Sequence, residues 1–477
     1  MKILVHHNFC KVDATREEFQ WLRELLTVDV PGAKFTKMFK RRQWDGRKRF
    51  LNWTAKNFPI GLLGYVLKNK GVQKIEVIET RKFRTFDKSV PELVGMELRD
   101  YQKKSVLECI NHKNCIIQAA TNAGKTAIFA GVIKKLQPMN VLILIHRGEI
   151  LWQIKKMVES LTGIEVGVIT AADMLIKPVT IAMVATLTNR LGADQEITDY
   201  FNSVECVIID EVHHASNATL TSLLSMVPAT YRFGFSGTVS EENTLHGMEV
   251  RQWIGSVVFE VSNEFLIEEG ISARPEVIFY DIDVKERLHN VFAFAKEELD
   301  NSGKQYNQQQ LLKKVYQLSV QKGIVENTER NGKVLEILKA NPGKSTLIVV
   351  DLLEHGRIVE KMLQVSDIKA VFISGSSEVR QSALEKFKAG KLKVLISTNI
   401  IDEGVDIARI EVLIMLAGKK SKRQLLQRVG RSLRRKEGEN TVRIYDFLDF
   451  GNRYLENHSK LRYGIYKKEK FDIKHMD

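Results

Sequence analysis

Two α/β domains with parallel sheets, preceded by a small basic α+β module, are the fold class this sequence predicts, on three observations. The 477 residues are too many for one ordinary domain. Short β-branched apolar runs alternate with helical stretches in two separate regions, the pattern of βαβ units with covered sheet faces. Charge is concentrated at one end. Residues 1–90 carry 20 Lys and Arg against 9 Asp and Glu, so +11 of the formal +14 lies there and the rest is nearly balanced.

The basic module spans 1–90, its boundary marked near Ser89–Gly95 by Pro91 and Gly95. The first α/β domain, 91–262, is read from the runs Cys115–Gln118, Val141–Ile145, Val179–Met183 and Cys206–Ile209, with Thr126–Leu136 and Gly148–Leu161 as intervening helices. The remainder, 263–477, opens with the less regular stretch Glu264–Glu329, in which Lys285–Gln321 reads as a polar helical connector. A second α/β pattern follows: helix near Lys333–Lys339, strand Thr346–Val350, helix His355–Leu363, strand Ala370–Ile373, helix Glu378–Ala389 and strand Lys393–Ile396.

Hydrophobic content of 44% and charged content of 27% match folded domains and exclude wholesale disorder. No apolar run reaches membrane-spanning length, and MKILVHHNFCK lacks a signal-peptide core. Cys10, Cys109, Cys115 and Cys206 show no metal-ligand spacing, so buried reduced thiols are expected. These features predict a cytoplasmic protein with no membrane partner (in the host cytoplasm, if phage-encoded); a monomer is the expected state in solution, though no sequence feature sets it. Its excess positive charge favours a polyanion.

The chemistry begins at Ala119-Ala120-Thr121-Asn122-Ala123-Gly124-Lys125-Thr126, between a strand and a helix. That placement suits a phosphate-binding loop, in which backbone N–H groups and a helix N-terminus face the phosphates. Lys125 would bridge the β- and γ-phosphates and Thr126 would ligate Mg²⁺. Ala119 stands where the strict pattern has its first glycine. About 85 residues on, the run Cys206–Ile209 ends in Asp210-Glu211-Val212-His213-His214. Asp210 at a strand end can hold Mg²⁺, and Glu211 can orient and deprotonate the attacking water. The two histidines lack partner ligands at zinc spacing, so His213 is read as coupling nucleotide and nucleic-acid sites.

At these residues the sequence resembles superfamily 2 helicases of the DExH kind, and the match continues in order over 98–435. Leu98-Arg99-Asp100-Tyr101-Gln102 looks like the adenine-recognition motif, which implies that Gln102 reads the base with Arg99 nearby. Ser236-Gly237-Thr238 resembles motif III. Ser397-Thr398-Asn399 through Glu403-Gly404-Val405-Asp406 resembles motif V, implying nucleotide contacts from Gly404 and Asp406. Gln427-Arg428-Val429-Gly430-Arg431-Ser432-Leu433-Arg434-Arg435 is close to motif VI. There Gln427 would couple, while Arg431 and Arg434 would act as arginine fingers, a role worth roughly 10³–10⁵ in rate. The resemblance implies two tandem RecA-like parallel-sheet domains, with ATP and Mg²⁺ as cofactors.

In the N-terminal module, Phe35 to Lys40, Trp44-Asp45-Gly46-Arg47 and Phe58 to Gly64 look like the accessory domain of phage UvsW-type branch-migration helicases. That implies branched or forked DNA as the partner. Lys34 to Lys56 hold nine Lys and Arg against the single acid Asp45, interleaved with Phe35, Phe39, Trp44, Phe50 and Trp53. Cations neutralise phosphates, and exposed aromatics can stack on unpaired bases. Lys37, Lys40, Arg41, Arg42, Trp44 and Arg47 are the expected DNA contacts, whereas Phe35, Phe50 and Trp53 are expected in the module's core. In the motor, Arg147 beside His146 resembles motif Ia, Thr186 to Arg190 resembles motif Ib, and Thr398 would touch a phosphate. Lys419, Lys420, Lys422 and Arg423 read equally as phosphate contacts or a solvated loop. Competing readings are an RNA helicase, a restriction-system translocase, and a binding protein with a degenerate ATP site.

Overall fold

The computed structural model describes residues 1–303, 305–375, 378–398, 410–418, 425, 429–430, 432–433 and 440–476, with backbone alone at 149, 378 and 379. The chain divides into two compact units, Met1–Ser262 and Asn263–Asp477.

The first unit opens with a four-stranded sheet in the order Asn57–Pro59, Phe9–Asp13, Lys2–Val5, Glu76–Glu79; only the last pairing is parallel. Helix Arg16–Leu25 covers it, burying Phe19 and Leu22. Its start is fixed by a reciprocal cap: Glu18 N–H donates to Thr15 Oγ1 at 3.3 Å, and Thr15 N–H to Glu18 Oε2 at 2.9 Å. A two-stranded ribbon, Thr27–Asp29 against Arg47–Arg49, frames the basic segment.

The second layer of this unit is an eight-stranded sheet. Its order is Met174–Leu175, Val166–Ile169, Val179–Met183, Val141–Ile145, Cys206–Asp210, Tyr231–Ser236, Asn114–Ala119, Val257–Val261. Every pairing is parallel except the short edge hairpin at Met174–Leu175. Val141–Ile145 is buried along its whole length, because helices cover both faces. All four cysteines are buried thiols.

The basic module is bolted to this sheet. Arg232 is fully buried and donates to Leu224 O (2.9 Å), Val227 O (2.7 Å) and the Asn8 side chain. Asn8 Nδ2 in turn donates to Ser225 O at 2.7 Å. Gly61 N–H donates to Gln252 O at 2.9 Å, an approach so close that a Cβ on Gly61 would sit 2.0 Å from Arg251 O. Met248 packs into the module's core, while Lys48 pairs with Glu249 and Lys68 with Glu242.

The second unit holds a seven-stranded, all-parallel sheet in the order Ala370–Ile373, Val394–Ser397, Thr346–Val349, Val412–Met415, Thr441–Phe450, Arg274–Asp283, Asp472–Met476. The stretch read from sequence as irregular contains Arg274–Asp283, a ten-residue strand next to the sheet's edge that forms its longest pairing, with Thr441–Phe450. Helices Lys285–Leu288, Val291–Asn301 and Gln308–Val320 follow it. Two buried ion pairs fasten helices to the strand Thr441–Phe450, one from Arg462 in helix Arg453–Lys468 and one from Arg330 in helix Thr328–Ala340. Arg462 Nε lies 3.1 Å from both Asp446 oxygens, Tyr466 donates to the same carboxylate at 3.0 Å, and Arg330 pairs with Asp449. No described helix is long and apolar enough to cross a membrane.

Candidate nucleotide and nucleic-acid sites

Strand Asn114–Ala119 delivers the chain to a loop that closes into helix Lys125–Leu136. Asn122 (φ 76°) and Gly124 (φ 73°) both take left-handed backbone on either side of Ala123, the alternation that turns successive N–H groups toward an anion. Gly124 is held closely: a Cβ there would lie 2.5 Å from Gln102 Nε2. Lys125 Nζ rests 3.4 Å from Ala119 O, on the loop's own backbone. The ammonium thus has a partner it can leave for a phosphate. Thr121, Asn122 and Thr126 are half-buried, and Ala123 is buried.

Gln102 is fully buried. Its Oε1 accepts from Arg99 N–H at 3.0 Å, and its Nε2 donates to Ala123 O at 3.0 Å. Tyr101 OH donates to the same carbonyl at 3.0 Å, and Arg99 Nη1 reaches Tyr101 OH at 3.3 Å. Arg99, Tyr101 and Gln102 therefore brace the phosphate loop from behind. The sequence foresaw their neighbourhood but not this clamp.

Two strands away, Asp210 ends strand Cys206–Asp210 and its Oδ1 accepts from Glu211 N–H at 3.0 Å. Glu211 itself takes left-handed backbone (φ 52°), an uncommon state for a non-glycine residue that clusters at functional sites. Burial alone would raise the Glu211 pKa. A hydrogen bond with His213, together with the fields of Lys125, His213 and His214, reverses that and holds it down at about 2. A quarter of the side chain stays open to solvent. The carboxylate is therefore ionised and partly reachable, able to orient a water, while a pKa so low makes it by itself a weak proton acceptor.

His213 and Ser236 are buried and meet at 2.9 Å through His213 Nδ1 and Ser236 Oγ. The same Oγ lies 3.0 Å from Thr238 O, 3.3 Å from Thr238 N and 3.5 Å from Glu211 Oε2. One hydroxyl proton cannot serve every acceptor. The arrangement satisfying most groups puts a proton on His213 Nδ1, shared between Ser236 Oγ and Glu211 Oε2 (3.2 Å), with the serine O–H on Thr238 O. His213 thus ties Glu211 to the Ser236–Thr238 turn. His214 lies beside it, the rings tilted by 45° with centres 4.3 Å apart, and reaches His146 at 4.8 Å. Burial, then His213 and Arg147, lower the His146 pKa. Sequence gave no hint of this three-ring row.

Together the loop, Lys125, Thr126 and Asp210 fit a magnesium–nucleotide complex. The cradle admits no side chain at Gly124, and an oxygen-donor set of hydroxyl and carboxylate suits a hard cation. Among the described residues no group of three or more His, Cys, Asp and Glu is placed to hold a metal ion.

The expected nucleic-acid contacts are scattered in state. Arg147 is exposed and Thr186 half-buried; Arg190, also half-buried, places Nη1 3.4 Å from Met174 Sδ; Thr398 is buried. Within the module the structure sorts the cations. Arg47 pairs with Asp29 at 2.9 Å, Arg49 with Asp45, and Lys48 with Glu249. Lys37, Lys40, Arg41 and Arg42 are exposed, and no carboxylate among the described residues pairs with them. Phe50 is core as expected. Phe35 and Trp53 are not: they are 61% and 47% exposed, Trp53 lying against the Phe19 edge and under Arg23 at the surface. Gly404, Asp406, Gln427, Arg428, Arg431 and Arg434, with the Lys419 to Arg423 cluster, lie outside the described residues.

Comparison with known proteins gives this arrangement its class. The model for the type III restriction enzyme res subunit matches 95–241, the helicase conserved C-terminal domain matches 329–436, and the N-terminal domain of DNA helicase UvsW matches 2–76. The chain is a superfamily 2 helicase, built on two RecA-like domains. Within that superfamily it is similar to the UvsW type, whose N-terminal domain model it matches. The ATP-dependent DNA helicase uvsW of Enterobacteria phage T4 is 22% identical over 520 aligned residues, spanning 99% of this chain and 98% of the relative. The DNA 3'-5' translocase XPB2 of Sulfurisphaera tokodaii is 24% identical over 363 residues, covering 72% and 80%. The crystal structure of the Hef helicase domain from Pyrococcus furiosus shares the fold at a TM-score of 0.52 and 14% identity, over 77% of this chain and 98% of that one. Family membership carries ATP use, typically with Mg²⁺, and nucleic-acid binding.

Proposed function

We propose that this helicase acts on DNA and remodels branched structures, by branch migration, fork regression and unwinding of junctions or bubbles. The observation that carries this reading is the position of the unpaired cations Lys37, Lys40, Arg41 and Arg42. They sit on a module bolted through Arg232, Asn8 and Gly61 to the sheet domain that bears the phosphate loop, within one compact unit. A second, rigidly carried grip suits a substrate with more than one arm. In this reading Lys125 binds the nucleotide's phosphates, and Glu211 orients the attacking water. Thr126 and Asp210 hold Mg²⁺, which when bound neutralises phosphate charge. His213 and Ser236 then report the state of Glu211 to Thr238.

The test is ATP-dependent conversion of a synthetic Holliday junction and of a model fork, with Lys125→Ala as control. ATPase stimulation is compared across single-stranded, duplex, forked and RNA ligands. Conversion by the native chain and none by Lys125→Ala supports the proposal. Stimulation by RNA alone, or turnover without any strand exchange, refutes it.

A further inference from the structure

The basic module carries two aromatic side chains, Phe39 and Trp44, that the fold holds in place yet leaves only partly buried. Phe39 is 37% exposed, with Phe35 at 61% and Met38 at 56% alongside, so burial gains the fold little from them. Yet Phe39 and Trp44 are both held in place. Thr36 caps the turn Lys37–Lys40, its Oγ1 accepting from Phe39 N–H at 3.3 Å and donating to Ala33 O at 2.8 Å. The Phe39 ring lies against Gly46, where an added Cβ would come within 3.0 Å of Phe39 Cε2. Trp44 Nε1 donates to Arg47 O at 2.9 Å, which fixes the plane of the indole.

Between them opens a cleft of about 650 Å³, lined by Phe39, Trp44, Gln43, Lys34, Lys40 and Arg42, with Asp45 also on its wall. That volume lies within the roughly 300–1,000 Å³ of small-molecule sites. Asp45 is already engaged, accepting from Arg49 Nη1 at 3.3 Å and from Arg47 N–H at 3.2 Å. The wall's remaining charge is positive. No described residue engages the Gln43 carboxamide, which offers both a donor and an acceptor. Arg42 reaches the cleft from left-handed backbone (φ 56°), a strained state that the fold holds for a non-glycine residue.

We propose that this cleft is a pocket for a single unpaired DNA base, which stacks on Phe39 and Trp44 while Lys34, Lys40 and Arg42 hold the flanking phosphates. This rests on the reading that the chain acts on DNA, and makes it more specific: the accessory module reads an unstacked nucleotide, such as one at a junction, rather than a duplex backbone alone. Aromatic faces accept any base, so the pocket is sequence-tolerant. An intact duplex offers it nothing to stack on.

The experiment uses the full chain without ATP and a thymidine 12-mer, a matching 12-mer of abasic residues, and a 12-mer substituted with 5-iodouracil. Irradiation of the last is expected to leave an adduct on a peptide containing Phe39 or Trp44. A Phe39→Ala, Trp44→Ala double variant should bind the thymidine 12-mer about tenfold more weakly, the change that one stacked base confers, and the abasic 12-mer unchanged. Both side chains lie at the surface, and an unaltered melting temperature confirms that the variant folds. Adducts confined to residues beyond the module, or equal affinity for the thymidine 12-mer in variant and native chain, overturn the pocket. A Lys37→Ala, Lys40→Ala, Arg41→Ala variant separates the two ideas. It should flatten the log–log salt dependence by about two, at roughly 0.7 per single-strand phosphate contact. If it does so while the aromatic variant is silent, only the base pocket fails. If the slope also stays unchanged, DNA contact by the module fails with it.

Discussion

Gly61→Ala tests the joint between the accessory module and the motor. The Cβ it adds would lie 2.0 Å from Arg251 O, 2.7 Å from Gly255 N and 2.7 Å from Ile254 N. All three are backbone atoms, so no side chain can swing aside. Overpacking of this kind costs about 1–3 kcal/mol, and moving the two segments apart also sacrifices the Gly61 N–H to Gln252 O bond, worth about 0.5–1.5 kcal/mol. The joint should therefore weaken by about 1.5–4.5 kcal/mol. Gly64→Ala, three residues on, is the control. Its Cβ meets only Ser256 Oγ at 3.3 Å, and within a helix alanine is favoured over glycine by about 0.8–1 kcal/mol. Limited proteolysis of the 80–93 segment and the melting temperature of the first unit are the assays. Gly61→Ala should be cut faster and melt earlier, keep basal ATPase, and lose stimulation by forked DNA. Gly64→Ala should match the native chain. A Gly61→Ala protein as protease-resistant and as fork-stimulated as native would refute a rigid joint.

Three further outcomes follow from the same geometry. Gly124→Ala should lose nucleotide affinity at least tenfold by equilibrium binding, because alanine disfavours φ 73° and its methyl displaces Gln102 from Ala123 O. Ser236→Ala removes the shared partner of His213 and Thr238 and leaves a buried group unsatisfied, a cost of about 1–3 kcal/mol. It should lower nucleic-acid-stimulated kcat more than nucleotide affinity. Arg462→Met strands the Asp446 carboxylate in the core and should destabilise the second unit by about 3–5 kcal/mol in urea unfolding.

The motor's strands were legible because parallel strands covered on both faces are nearly uniform apolar runs, as at Val141–Ile145 and Cys206–Ile209. Arg274–Asp283 escaped notice for the converse reason. It starts with Arg-Pro, carries Glu276, Asp281 and Asp283, and pairs with a strand far along the chain. The loop residues Lys125, Asp210 and Glu211 could be named from order and spacing, but the clamp by Tyr101 and Gln102 could not, since side-chain to backbone bonds leave no periodic trace. Composition also could not sort the module's cations. Arg47 is tied across the ribbon to Asp29 and Arg49 to Asp45 four residues before it, while Lys37, Lys40, Arg41 and Arg42 have no such neighbour among the described residues. Phe35 and Trp53 were misassigned to the core because an aromatic among lysines reads the same whether it faces in or out.

The placement of Arg274–Asp283 sets a timetable for the ribosome. Its Arg274 sits opposite Thr441, and its other neighbour begins at Asp472. At roughly 5–20 residues per second, the nascent strand waits on the order of 10–30 s for the first of them. For that interval Val277, Ile278, Phe279 and Tyr280, all buried at the end, have no sheet to join. Slow translation over the intervening codons, or scarce chaperone, should therefore show up as aggregated product well before any defect in the finished enzyme.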